Sequence, residues 1–131
     1  MAAMQQRIAR QPGTVHTARV TPLSEPVLVL TTAASKAEGE FLAGQIVNAR
    51  LAACVNVLPG MESYYWWKGS MQVDREALLM IKTAVHLVDD LTDLIRAKHS
   101  YECPEVVAIK PDAIAPHYLA WWRENLSAGN S

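Results

Sequence analysis

Cysteine is scarce in this chain: Cys54 and Cys103 are the only two in 131 residues. A domain of this size with 50% hydrophobic residues needs no disulfide framework. Both cysteines are therefore read as reduced thiols, and the chain as cytoplasmic. No apolar run approaches the roughly 18 residues that span a bilayer, and the N-terminus lacks the continuous apolar stretch of a secretory signal. An excess of either charge is missing as well. Twelve Lys plus Arg stand against thirteen Asp plus Glu, a formal net charge of -1. That balance argues against nucleic acid as a main partner, because such binding rests on counterion release by a basic face. An anionic membrane is not favoured either. Marks of common catalytic machinery are also lacking, with no Gly-rich phosphate loop, no HExxH and no nucleophile elbow. The chain is read as a non-enzyme.

What is present divides into a tail and one domain. Residues 1–24 carry Arg7, Arg10 and Arg19 with no acid before Glu25, and they include Pro12, Gly13 and Pro22. Such a start fits an organelle transit peptide. So few Ser residues favour instead a disordered or loosely docked extension. The domain occupies residues 25–131.

From Pro26 the pattern becomes regular. Val27-Leu28-Val29-Leu30-Thr31-Thr32 reads as a central strand. Ser35 with Glu38 forms a capping box, opening a helix whose buried stripe is Leu42, Ile46 and Ala49, with Phe41 beside it. Ala53 to Leu58 reads as a second strand halted by Pro59-Gly60 and resumed from Ser63 to Trp67. Lys68-Gly69 supplies a hairpin turn. The return arm, Met71 to Thr83, would span roughly 40 Å, about twice the usual strand. It carries Met71, Val73, Ala77, Leu79 and Ile81 on one side. Gln72, Asp74 and Glu76 occupy the other, which turns apolar at Leu78 and Met80. A strand that overruns its partners leaves edge groups for another chain. Val88, Leu91 and Ile95 mark a second helix ending near Lys98-His99. Glu105 to Ile109 reads as a fourth strand, and Pro116 opens a last helix carrying Tyr118, Leu119, Trp122 and Leu126 and ending near Gly129.

The order β-α-β-β-α-β plus a terminal helix is a ferredoxin-like α+β sandwich. Both crossover helices then cover one sheet face. Leu78, Met80 and part of Tyr64-Tyr65-Trp66-Trp67 are sent to the other, which favours a closed symmetric oligomer.

These segments resemble the CutA family of divalent-cation tolerance proteins across residues 26–126. The resemblance is carried by Val27-Leu28-Val29-Leu30-Thr31-Thr32-Ala33, Arg50-Leu51-Ala52-Ala53-Cys54-Val55-Asn56 with Pro59-Gly60, and Tyr65-Trp66-Trp67-Lys68-Gly69. Ile81-Lys82-Thr83, His99-Ser100-Tyr101-Glu102-Cys103-Pro104-Glu105 and Tyr118-Leu119-Ala120-Trp121 complete it. It implies a homotrimer, similar in architecture to the PII signalling proteins, with hairpin arms pairing between subunits. It also implies a metal-responsive function of copper type.

Copper-binding relatives resemble one another in a first-strand cysteine and paired histidines after the second helix. Here those places hold Thr31 and Lys98-His99, so a copper or other divalent-cation site is expected to be weak. His99 and Cys54 are its candidates, imidazole and thiolate both suiting copper. His99 could equally be a protonated cap on the helix dipole, and Cys54 a small hydrophobe in a buried strand. Cys103, before Pro104 in a loop, has no evident catalytic partner. His86 and His117 are read as solvated.

Lys82 shares a face with Leu78 and Met80, so its ammonium needs a carboxylate or a wet cleft. Glu105 is the obvious carboxylate, with Tyr101 close in sequence. The resemblance places Lys82, Glu105, Tyr101, Asn56 and Trp67 around a cleft between trimer subunits. The cleft reads either as a site for a small anionic ligand, as in a PII-like sensor, or as an ion pair that sets trimer register. A purely structural or scaffolding trimer, with or without a protein partner, is the remaining expectation.

Overall fold

A computed structural model describes residues 25–128. The expected N-terminal extension 1–24 and Gly129 lie outside the described residues. Four strands and three α-helices follow the predicted order: β1 (Pro26–Ala33), α1 (Lys36–Asn48), β2 (Cys54–Trp67), β3 (Ser70–Ala84), α2 (Val88–Lys98), β4 (Val107–Ile109) and α3 (Pro116–Glu124). The single sheet runs β2-β3-β1-β4 with every neighbouring pair antiparallel. This is the ferredoxin-like arrangement, with α3 added.

Residue type explains the local choices. Ser35 caps α1, its hydroxyl accepting from the Glu38 N–H at 3.1 Å, and the Glu38 carboxylate returns to the Ala34 N–H at 2.9 Å. Leu42 and Ile46 are buried as expected, whereas Ala49 is the exposed C-cap and Phe41 stays 49% exposed. The buried third member of the stripe is Gly39. A Cβ there would come within 3.1 Å of Val57 and 3.3 Å of Leu79, so glycine lets the helix lie close on the sheet. At the hairpin tip, Lys68 and Gly69 both take positive φ, the geometry that matches strand twist in a two-residue turn.

Alternation then sorts the sheet into two faces. Val29, Ala33, Ala77, Leu79 and Ile81 pack with Leu42, Ile46, Leu91 and Ile95 into the core under α1 and α2. The opposite face has no helix of that pair on it. The register lays Cys54, Lys82, Leu28 and Ile109 in one row, and Asn56, Met80, Leu30 and Val107 in the next. Leu58, Leu78 and Thr32 form a third. Leu58, Val107 and Ile109 are exposed there, and Leu28, Leu30, Leu78 and Met80 half-buried.

The second strand does not halt at Pro59-Gly60. It runs unbroken to Trp67, with a register shift between Leu58 and Met61 and positive φ at Gly60. This one-residue bulge decides where the aromatics go. Tyr65 and Trp67 fall on the uncovered face, opposite Gln72 and Ser70, while Tyr64 and Trp66 turn the other way. The arm reaches past both helices, leaving Tyr64 63% and Trp66 72% exposed.

Among the described residues, no helix is long and apolar enough to cross a membrane.

Candidate functional site

Two polar clusters sit at opposite ends of the uncovered face, and the predicted site residues other than Trp67 are shared between them.

The first lies where the end of β1, the N-terminus of α1, the loop after α2 and the shoulder of the hairpin meet. His99 follows the last residue of α2 and turns inward, its side chain fully buried. The Tyr101 N–H donates to its Nδ1 at 2.9 Å, so Nδ1 must be the unprotonated nitrogen. Nε2 therefore carries the hydrogen and donates to the Thr32 carbonyl at 2.6 Å. Both ring nitrogens are thus engaged with backbone, and the ring is turned inward rather than standing free at the helix end.

Tyr101 lies against His99, the rings tilted by 39° with centroids 4.6 Å apart, and donates its hydroxyl to Glu76 at 2.6 Å. The Ser63 hydroxyl donates to the other Glu76 oxygen at 2.6 Å. Burial, then the hydrogen bond to Glu76 and its charge, push the Tyr101 phenol well above its ordinary value. Glu38, beside His99, accepts from the Ser100 N–H at 2.7 Å and the Ser100 hydroxyl at 3.0 Å. Burial pushes the Glu38 carboxyl up, but hydrogen bonds from Ala34 and Ser100 outweigh it and hold the group below its ordinary range.

Glu105 belongs to this end. Continuing the β1–β4 register places it opposite Thr32. Val106 packs against the core, so alternation turns Glu105 to the uncovered face. Burial, and then the Glu76 charge, raise its carboxyl above the ordinary range.

The second cluster surrounds Lys82. Its ammonium donates to the Tyr118 hydroxyl at 2.9 Å and lies 5.3 Å from the centre of that ring. The Tyr118 hydrogen bond lifts the lysine above its ordinary value against the opposing effect of burial. Tyr118 is held in turn by α3. It stacks on Trp121 at 5.4 Å, and Trp122 is anchored by its indole N–H donating to the Thr83 carbonyl at 2.8 Å. Cys54 is cross-strand neighbour to Lys82 and half-buried rather than sealed in the core. Asn56, one row on, places its carboxamide oxygen 4.0 Å from the Cys54 sulfur.

The predicted set thus does not converge within one chain. Lys82 and Asn56 share one end, and Tyr101 and Glu105 the other. Trp67 lies at the hairpin tip, about 40 Å along β3 from Lys82. The expected Lys82–Glu105 contact is absent: four residues along the strands and two strands across put their Cα atoms about 16 Å apart. Sequence reasoning missed Tyr118 as the lysine's partner and Glu76 as a buried carboxylate. An acid on the same strand face as Leu78 and Met80 was the available signal for Glu76.

The CutA1 divalent ion tolerance protein profile matches residues 27–125. This chain belongs to the CutA1 family. Among curated CutA proteins, the rice chloroplastic CutA 1 is 44% identical over 99 residues, covering 76% of this chain and 56% of its own length. The chain therefore spans little more than half of that plant relative. The divalent-cation tolerance protein CutA of Thermus thermophilus is 41% identical over 98 residues, covering 75% of this chain and 95% of its own. The crystal structure of rice CutA1 superimposes with a TM-score of 0.79 at 41% identity, over 82% of this chain and 98% of that one.

The divalent ion in the CutA1 name finds no ready-made site among the described residues. No three His, Cys, Asp or Glu side chains converge to hold an ion among the described residues. His99 and Cys54 are separated by four residues and two strands, about 16 Å. Ligands of one ion at bonds of about 2 Å lie within about 4 Å of each other. The ammonium of Lys82 beside Cys54 further disfavours a cation there.

Proposed function

We propose that this chain acts in divalent-cation tolerance as a homotrimeric binding protein without enzymatic activity. The uncovered sheet face carries the reading. It holds Leu28, Leu30, Leu58, Leu78, Met80, Val107 and Ile109 in register, a surface that a second and third copy would bury. The over-extended hairpin supports the same reading, because Tyr64 and Trp66 on its arm stay 63% and 72% exposed. The PII-like likeness rests on that assembly. Two free thiols suit the reducing cytoplasm.

Copper contact, in this reading, is weak, because Lys82 stands beside Cys54, and falls on the Cys54 thiol rather than on His99. Light scattering on the full chain at micromolar concentration should give three chain masses. Copper titration should give the same weak affinity for the native protein and His99→Ala, and a loss in Cys54→Ser. A single-chain mass would overturn the assembly. A drop of tenfold or more in His99→Ala would return that residue to the metal.

A further inference from the structure

The uncovered face is polarised. Its middle is aliphatic, Lys82 stands at one end, and Glu105 stands at the other. Among the described residues, neither charge has its complement. No carboxylate there lies within ion-pair distance of Lys82, whose partners are the hydroxyl and ring of Tyr118. Glu105 faces another acid, Glu76, whose two oxygens already accept from Ser63 and Tyr101. Partial burial and the proximity of that acid both disfavour its ionised form.

An exposed lysine or glutamate at a sheet edge is ordinarily satisfied by water. Here both lie on the apolar surface that assembly would cover, where an unmatched charge is costly. About 16 Å separates them within the chain, so neither can reach the other. Two copies brought face to face in register can join the positive end of one to the negative end of the next.

We propose that Lys82 of one copy pairs with Glu105 of the next, each chain giving one charge and receiving the other around a closed ring. The pairing rests on the homotrimer reading and adds what fixes its register. A heterologous interface repeated by rotation satisfies every copy alike. Aliphatic faces alone would tolerate sliding by two residues, whereas a matched charge at each end admits one setting.

A double-mutant cycle on the full chain tests it, with dissociation followed by light scattering and folding by circular dichroism. Lys82→Gln and Glu105→Gln should each weaken assembly at least tenfold. The double variant should be little worse than either, a coupling of tenfold or more. The charge swap Lys82→Glu with Glu105→Lys should recover most of what each reversal loses. Coupling below twofold, with wild type still trimeric, overturns the pair and leaves the trimer standing. A single-chain mass for wild type removes the trimer itself. A rise in melting temperature on adding phosphate, lost in Lys82→Gln and without coupling to Glu105, also overturns the pair and makes Lys82 an anion site.

Discussion

Odd-numbered residues of β1, and of β3 from Ala77 onward, disappear beneath α1 and α2, while their even-numbered neighbours on the same strands face away. Val29, Leu79 and Ile81 on the inner side are fully buried, and Leu28, Leu30 and Met80 on the outer side are only half so. Both sets are aliphatic and both obey the same alternation. The difference lies in what covers them among the described residues: two helices on one side, and on the other only α3 at one end. The inner face is a core by local right, complete in one molecule. The outer face has core composition without core packing.

Truncation separates the two most sharply. Leu79→Ala should cost about 2–5 kcal/mol, the transfer term plus a cavity between α1 and the sheet, measured by denaturant unfolding. Met80→Ala, one residue along, should leave the far-ultraviolet spectrum unchanged and weaken assembly in light scattering. Equal losses of secondary structure in both would erase the distinction between the faces.

The polar shoulder of the outer face comes next in size. Tyr101→Phe removes a hydroxyl that donates to Glu76 at 2.6 Å and should cost about 1–3 kcal/mol in thermal unfolding. No loss would mean that the carboxylate does not need that donor.

On the inner side, Gly39→Ala sets a gain in helix propensity of about 1 kcal/mol against overpacking. The new Cβ would meet Val57 at 3.1 Å and Leu79 at 3.3 Å, both pressed between helix and sheet. A net loss of about 1 kcal/mol is expected. A net gain would show that α1 can lift, and that the inner face is looser than its burial implies.

The smallest effect is at Glu38, which ties the two faces at the rim. Its carboxyl is held below its ordinary value of 4.5, so the folded chain binds that proton less tightly than the unfolded chain does. Its contribution is full above the ordinary value and is lost as pH falls through the lowered one. Glu38→Gln should flatten that acid limb in a melting-temperature profile. An unchanged limb would place the acid sensitivity elsewhere.

Much of this was readable in the residues, and the reasons differ by element. The strand and helix order follows from periodicity and from caps such as Ser35 with Glu38, which are local. The long return arm was visible as one strand-like run from Met71 to Thr83, with Met71, Val73, Ala77, Leu79 and Ile81 on one side. The site was less legible because its contacts are distant in sequence. Lys82 meets Tyr118 across 36 residues, and His99 meets the Thr32 carbonyl across 67. No spacing rule announces either one. For His99 the residue type suggested a ligand, and only the Tyr101 N–H, two residues on, showed that its acceptor nitrogen was taken. Lys82 was read as needing a carboxylate or a wet cleft and Glu105 was assigned to it, but within the chain the register keeps the two apart.

The extra residue at Pro59-Gly60 gives the hairpin a freedom the rest of the sheet lacks. It acts as a phase shifter, since the arm beyond it displays the opposite half of its side chains from the half its base would dictate. The base can thus stay locked to β3 beneath the helices while the reach of Tyr65 and Trp67 is set independently. Deleting one residue there would swap the arm's two liveries and leave the framework below untouched.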